Sequence, residues 1–255
     1  MAKETNKHYL IGINPISNLL QQNPDRCLQL FLHDSEKLNS RLQEIERLAM
    51  QHHIAISRHG KAFFQKFSGA HQGVAAQTKA PKVLRDAELD AWLTNIIETE
   101  KTPLLLVLDQ IQDPHNLGAI LRTADAAGVD AVIVSNNNTA PINATVSKIA
   151  SGAAESATIF RVSNIARTID KLKQQGIWIA GTSDQASSTL YANDLSGPLA
   201  LVMGAEGSGM RQLTQQKCDY LVKLPMQGVV SSLNVSVATG ICLYEINRQR
   251  SSASS

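Results

Sequence analysis

The sequence predicts an α/β protein in two parts, built on largely parallel sheets covered by helices. Short apolar runs alternate with helical patterns from one end of the 255 residues to the other, which is the signature of strands joined by helical crossovers. Hydrophobic residues at 43% and charged residues at 18% describe a globular chain, long enough for two domains that each bury a core. A proline-led, acidic connector near residues 80–100 marks the boundary between them.

In the first part, residues 9–11, 28–32, 54–57 and 73–76 read as strands. Asn14-Pro15 reads as a helix cap followed by proline at the first helical position. Leu38, Leu42, Ile45 and Leu48 recur at helical spacing and predict an amphipathic helix. The unit closes by about Ala80 and has the size of a small βαβ-type binding module. From Pro81 onward, Leu89, Trp92, Leu93, Ile96 and Ile97 form one apolar stripe, an acidic amphipathic helix expected to pack on the domain that follows.

That second domain is expected to carry strands at 104–108, 131–134, 157–162, 177–180, 199–203 and 220–224. Helices fall between them, the clearest at 117–127 and 163–175, each followed by a glycine, Gly128 and Gly176, placed to terminate it. The last helix, with Val235, Val237, Ala238, Ile241, Cys242 and Leu243, is apolar over much of its circumference and reads as core, dimer seam or both. Residues 251–255, Ser-Ser-Ala-Ser-Ser, read as a disordered tail. The expected division is 1–80, connector 81–100, catalytic domain 101–250 and tail 251–255.

Composition narrows the partners. The net charge of +2 says little, but residues 1–80 carry 10 Lys/Arg against 6 Asp/Glu and six of the seven histidines, a balance that suits an RNA-facing surface or an ordinary solvated one. Aromatic residues make up only 4%, which disfavours a design built on base-stacking platforms. Cys27, Cys218 and Cys242 are odd in number and lack metal-type spacing, so neither a disulfide framework nor a zinc site is expected. The polar start, Met1 to Lys7, has no apolar segment behind it, and no apolar run approaches bilayer length. A cytoplasmic protein without a membrane partner is expected.

Three segments carry chemistry. In the first, 109–122, a buried strand runs through a polar loop into a helix, placing Asn116, Gly118 and Arg122 near a strand's carboxyl end, where ligands dock in α/β sheets. Gly118, one turn before Arg122, is expected to leave room for a substrate backbone. Taken singly, Arg122 reads better as a surface partner of Asp125, and Asn116 as a plain helix cap is likewise a good reading. The second, Gly204-Ala205-Glu206-Gly207-Ser208-Gly209, is a glycine loop after a strand. Glu206, expected to be buried there, would repel a phosphate, and the Lys-Ser/Thr pair of a Walker loop and the spacing of a dinucleotide loop are both missing. The loop suits a ligand that is not a polyphosphate. The third runs from Leu224-Pro225-Met226 to Ser232-Leu233-Asn234, with Ser232 a simple cap for the last helix on the plainest reading.

In this order, Asn116-x-Gly118-x-x-x-Arg122, Met203-Gly204-Ala205-Glu206-Gly207, and Leu224-Pro225-Met226 with Ser232-Leu233-Asn234-Val235-Ser236 together resemble the three motifs of the SpoU-type (TrmH) RNA 2′-O-ribose methyltransferases. Residues 122–128, Ser151-Gly-Ala-Ala-Glu155 and His71-Gln72-Gly73 extend the resemblance to the bacterial branch that methylates a guanosine ribose of 23S rRNA, over essentially the whole chain. The resemblance implies an L30e-like α/β substrate-binding domain, a C-terminal SPOUT-type α/β domain with a mostly parallel sheet, helices on both faces and a trefoil knot, a homodimer, 23S rRNA with a peptidyl-transferase-region loop as target, and S-adenosylmethionine as methyl donor without a metal.

It also implies roles. Gly204, Leu224 and Leu233 would contact the cofactor through their backbones, with Met226 on the adenine side. Asn116, Arg122, Glu206, Ser232 and Asn234 would form the reaction centre. A sulfonium cation without phosphates agrees with Glu206 in the glycine loop. Because a guanidinium keeps its proton, Arg122 is read as a clamp on the activated 2′-oxygen and a neighbouring phosphate rather than as a base. Water, an RNA phosphate oxygen or Ser232 could accept the proton. A tRNA substrate, or a non-catalytic RNA-binding role on the same scaffold, are the competing readings. An NAD-linked oxidoreductase lacks its glycine loop. Removal of residues 1–80 is expected to leave the catalytic fold and remove RNA recognition.

Overall fold

The computed structural model describes residues 8–34, 39–67, 70–99 and 101–253. Met1 to Lys7, Leu38 of the expected helix stripe, and the last two serines of the expected tail lie outside the described residues. The chain forms two compact units, one of residues up to Lys82 together with 142–156, the other of 83–141 and 157 onward.

The first unit begins with β1 (His8–Ile11), α1 (Ile13–Gln22), β2 (Cys27–His33), α2 (Ser40–Gln51), β3 (Ile56–His59), the short α3 (Lys61–Phe64) and β4 (Val74–Thr78). Among the described residues of this unit, only β2–α2–β3 is a parallel βαβ unit. β4 lies between β1 and β2 and is antiparallel to both, giving the order β1-β4-β2-β3, so this sheet is mixed and not largely parallel as expected. Alternation divides its faces. Leu10, Leu30, Leu32, Val74 and Ala76 join Ile16, Leu19 and Leu20 of α1 and Leu42, Ile45 and Leu48 of α2 in one core, while Tyr9, Ile11, Phe31 and Ala75 point to the other side, toward Phe63, Phe64 and Phe67.

Asn14 does not cap α1. The helix starts at Ile13, with Pro15 buried in its first turn, and the Ile13 N–H donates to Gln72 Oε1 at 3.0 Å. A residue about sixty positions away satisfies one of the orphan donors every helix start leaves.

In the second unit the connector contributes an edge strand, β5 (Val83–Arg85), as well as α4 (Asp86–Glu98), whose Leu89 and Leu93 are buried in its core. Next come β6 (Leu104–Asp109), α5 (Pro114–Ala126) and β7 (Ala131–Ser135). The chain then enters the first unit for α6 (Ala144–Ile149) and α7 (Ala153–Ser156). There Arg26 pairs with Glu155 at 2.6 Å and Asn23 Nδ2 donates to the Glu155 carbonyl at 2.7 Å.

Back in the second unit follow β8 (Ile159–Val162), α8 (Ile165–Gln174), β9 (Trp178–Thr182), β10 (Ser188–Thr189), β11 (Leu199–Gly204), α9 (Gln212–Lys217), β12 (Tyr220–Lys223) and α10 (Val235–Ala253). The eight strands form one sheet, every pair parallel, in the order β10-β12-β9-β11-β6-β7-β8-β5. β6 is buried at every position and β11 at all but its last, as strands covered on both faces must be. Their carboxyl ends lie side by side, Gly204 in register with Asp109.

Gly128 and Gly176 take positive φ after α5 and α8, the geometry expected of helix-terminating glycines. Two expected caps are corrected. α5 starts at Pro114, and Asp113 accepts from the His115 N–H at 2.8 Å, so Asn116 lies inside the first turn. α10 starts at Val235, with Asn234 Oδ1 accepting from the Ser236 N–H at 3.0 Å, so Ser232 is free of that duty. α10 also continues to Ala253, into the segment expected to be a disordered tail. Among the described residues no helix is long and apolar enough to cross a membrane.

Candidate active site

The carboxyl ends of β9, β11 and β12 border a cavity of about 470 Å³. Its lining includes the loop 204–210, Leu224, Met226, Ser231 to Leu233, and Val235 and Cys242 of α10. All four residues expected to bind a cofactor, Gly204, Leu224, Met226 and Leu233, are therefore at one cavity, together with Glu206 and Ser232.

The glycine loop closes on itself. Ala205 and Gly209 exchange two backbone hydrogen bonds of 3.0 and 2.9 Å, and Gly207 and Gly209 both have positive φ. A Cβ on Gly204 would stand 2.2 Å from the Gly209 carbonyl carbon and from the Met210 nitrogen, far inside contact distance. Glycine is required here by the chain's own close approach.

Directly behind the loop, Asp109 ends β6 with its side chain fully buried. It accepts from the Arg211 N–H at 2.9 Å, from Arg211 Nε at 2.8 Å, and pairs with Arg211 Nη2 at 2.7 Å. A buried carboxylate is tolerated when charge-assisted hydrogen bonds satisfy it, and these ones pin the residue that follows Met210. Sequence reasoning passed over both residues. The available signal was a carboxylate closing a run of five aliphatic residues, since a charge in a buried strand needs a partner.

The three motifs meet through one amide. Asn234 Nδ2 donates to Asn116 Oδ1 and to Glu206 Oε2, each at 3.0 Å. Both N–H groups of that amide are thereby used, and its Oδ1 receives the Ser236 N–H at 3.0 Å and Oγ at 2.6 Å. The amide's orientation is fixed on both sides. Glu206 is exposed at the cavity rim, which corrects the expectation of a buried carboxylate. A tip of a closed five-residue loop projects outward, and only its base is packed.

Arg122 is exposed on α5, six residues beyond Asn116. That spacing is about 9 Å along the helix and well over a right angle around it, so the two side chains leave the helix on different faces. Gly118 is buried, so it does not open the substrate channel expected beside Arg122. α10 runs against α5, and a Cβ on Gly240 would lie 3.5 Å from Thr123 Cγ2. On its outer side α10 presents Val237, Ile241 and Tyr244, all exposed.

Residues 103–244 match the SpoU rRNA Methylase family. The chain belongs to that family. Residues 9–84 match a second description, RNA 2′-O ribose methyltransferase substrate binding. Among curated relatives, 23S rRNA (guanosine-2′-O-)-methyltransferase RlmB of Pseudomonas aeruginosa is 49% identical over 94% of this chain and 95% of its own length. RlmB of Vibrio parahaemolyticus is 47% identical, covering 96% and 98%. Among solved structures, an RNA 2′-O ribose methyltransferase superposes with a TM-score of 0.75 at 26% identity over 95% of this chain and 88% of that one. The SpoU methyltransferase AviRb of Streptomyces viridochromogenes, in complex with AdoMet, gives 0.76 at 23% identity over 96% and 90%. The chain is a SpoU methyltransferase, and the AviRb structure holds S-adenosylmethionine.

The cavity fits that cofactor. Among the described residues its charged lining is Asp184, Glu206 and Lys223, two carboxylates against one ammonium, which suits a cationic sulfonium and not a polyphosphate. Among the described residues no group of three or more His, Cys, Asp or Glu side chains could hold a metal ion.

Proposed function

We propose that this chain transfers a methyl group to the 2′-oxygen of a guanosine ribose in 23S rRNA. The observation that carries the reading is the Asn116–Asn234–Glu206 network, which joins all three family motifs at the rim of the cavity. The near full-length identity to RlmB proteins supports the rRNA target over a tRNA one.

When bound, S-adenosylmethionine supplies an electrophilic methyl carbon on a sulfonium, so that a C–O bond forms as the S–C bond breaks. The protein's share is alignment and charge. Gly204, Leu224 and Leu233 offer backbone groups, and Met226 an apolar surface, to hold the donor in one pose, and fixing two reactants in line can remove several kcal/mol from the barrier. Glu206, held by Asn234 at the cavity, would offer its carboxylate to the positive charge of the donor. Asn116, through the same amide, ties the start of α5 to this rim. The Arg122 guanidinium would stabilise the developing negative charge on the 2′-oxygen. Ser232, an exposed hydroxyl at the cavity, can relay the released proton to water or to an RNA phosphate.

The division into a substrate-binding part and a catalytic part follows the two family matches, 9–84 and 103–244. The exposed stripe of Val237, Ile241 and Tyr244 on α10 supports a homodimer seam, since such a row is more apolar than a solvated helix face. The trefoil knot and a cytoplasmic location belong to this reading as well.

Arg122→Ala is the test. Turnover on a 23S rRNA transcript should fall about 100- to 1000-fold, while the affinity for S-adenosylmethionine by calorimetry stays at the wild-type value. Full turnover at saturating RNA would remove Arg122 from the reaction centre. Methylation of tRNA transcripts in preference to 23S rRNA would replace the substrate.

A further inference from the structure

Aromatic residues are scarce in this chain, yet four of its five phenylalanines gather on one side of the first unit. Phe31 of β2 and Phe64 of α3 are buried there, with Tyr9, Phe63 and Phe67 half-covered around them. At the outer edge stands an ordered pile. The His59 ring stacks on Phe63, centroids 4.0 Å apart and planes 13° apart. Lys66 Nζ lies 3.6 Å from the Phe63 centroid. Two neighbours that close to one centroid must occupy opposite faces of the ring. Lys66 is exposed and also reaches within 5.2 Å of Tyr9 and 5.0 Å of Phe67.

We propose that this pile is a base-stacking site for an unpaired nucleotide of the RNA substrate, with Lys66 leaving the Phe63 ring to take the nucleotide's phosphate as the base takes its place. The exchange gives up the contacts of Lys66 with Tyr9, Phe31, Phe63 and Phe67 and returns a base–aromatic stack together with an ammonium–phosphate pair. A ring face beside an exposed ammonium is the pairing that single-stranded RNA recognition uses.

Charge selects RNA over a protein partner. Residues 61–67 hold Lys61 and Lys66 and no carboxylate, and the strand residues sharing this face, Tyr9, Ile11, Phe31, Ser57, His59 and Ala75, include none either. Residues 1–80 as a whole carry a basic excess. The other face of the sheet is closed by α1 and α2, whereas here the short α3 segment is what packs on it.

The inference rests on the RNA-substrate reading above and is tested on the full chain. Phe63→Leu, which keeps apolar bulk and removes the ring, should weaken binding of a 23S rRNA transcript about tenfold. Lys66→Gln should weaken it and lower the slope of log affinity against log salt by about 0.7. Both should retain wild-type affinity for S-adenosylmethionine and wild-type turnover at saturating RNA. If Phe63→Leu melts early, Lys66→Gln, at an exposed side chain, decides alone. Wild-type RNA affinity and salt slope in Lys66→Gln overturn the proposal, whatever else binds this face. RNA binding that Lys66→Gln weakens, in a wild-type protein that transfers no methyl group, refutes the catalytic reading and leaves this one standing.

Discussion

Asp109→Asn tests whether the closed glycine loop is what the cofactor needs. The wild-type carboxylate is fully buried and meets Arg211 at three points between 2.7 and 2.9 Å. Asparagine keeps the volume but loses the charge, and half of its amide would present N–H groups to the N–H groups of Arg211. Breaking a buried ion pair costs about 3–5 kcal/mol when the partner charge stays buried. The Arg211 side chain is 42% exposed, so its guanidinium can re-enter water and the cost falls to roughly 2–3 kcal/mol. If that energy holds residues 205–210 in place, the affinity for S-adenosylhomocysteine should fall roughly 30- to 150-fold. Calorimetric titration reads the affinity, thermal unfolding reads the fold, and a cycle with Arg211→Met isolates the pair. A lowered melting temperature with unchanged affinity would show that the pair merely supports the sheet end and that the loop holds itself.

Two further outcomes follow from single residues. Gly204→Ala places a methyl 2.2 Å from two backbone atoms that cannot swing aside, so the loop must open and cofactor binding should drop below detection by calorimetry; a normal titration would show that the loop tolerates reopening. His8 shares a 2.8 Å hydrogen bond with Thr78, and burial lowers its pKa below 6.5, opposed by Glu155 and aided by Arg26. The neutral form is thus the folded one, and stability is complete above pH 6.5 and lost as pH falls through the lowered value. Urea unfolding should show that loss, and His8→Asn should flatten it; an unchanged acid slope would refute the assignment.

Much of this was legible in the sequence for physical reasons. β6 and β11 are unbroken aliphatic runs, and a strand buried on both faces has no other way to look. The loop at 204–209 announced itself because a chain folding back within five residues needs glycine. Caps were misassigned, since a polar residue near a helix start always has rivals: Asp113 over Asn116, Asn234 over Ser232, and at α1 the distant Gln72 over Asn14. The Asn234 amide bridge was also beyond reach, because it joins residues 118 and 28 positions apart. An aromatic content of 4% is an average over 255 residues and is silent about where a few rings gather.

The excursion at 142–156 shows most plainly what sequence order hides. Its residues sit inside the run of strands that builds the second unit, yet they pack with the first, where the fully buried Glu155 side chain faces Arg26 and Asn23 holds the Glu155 carbonyl. A buried carboxylate left without its cation is strongly destabilising. A cut after residue 80 therefore does not lift out a module. It leaves Glu155 exposed to water or unpaired, strips α6 and α7 of the surface they pack on, and adds their disorder to whatever RNA binding is lost. Loss of methylation in such a truncation would report on both effects at once, whereas Lys66→Gln, on the surface of an intact first unit, reports on recognition alone.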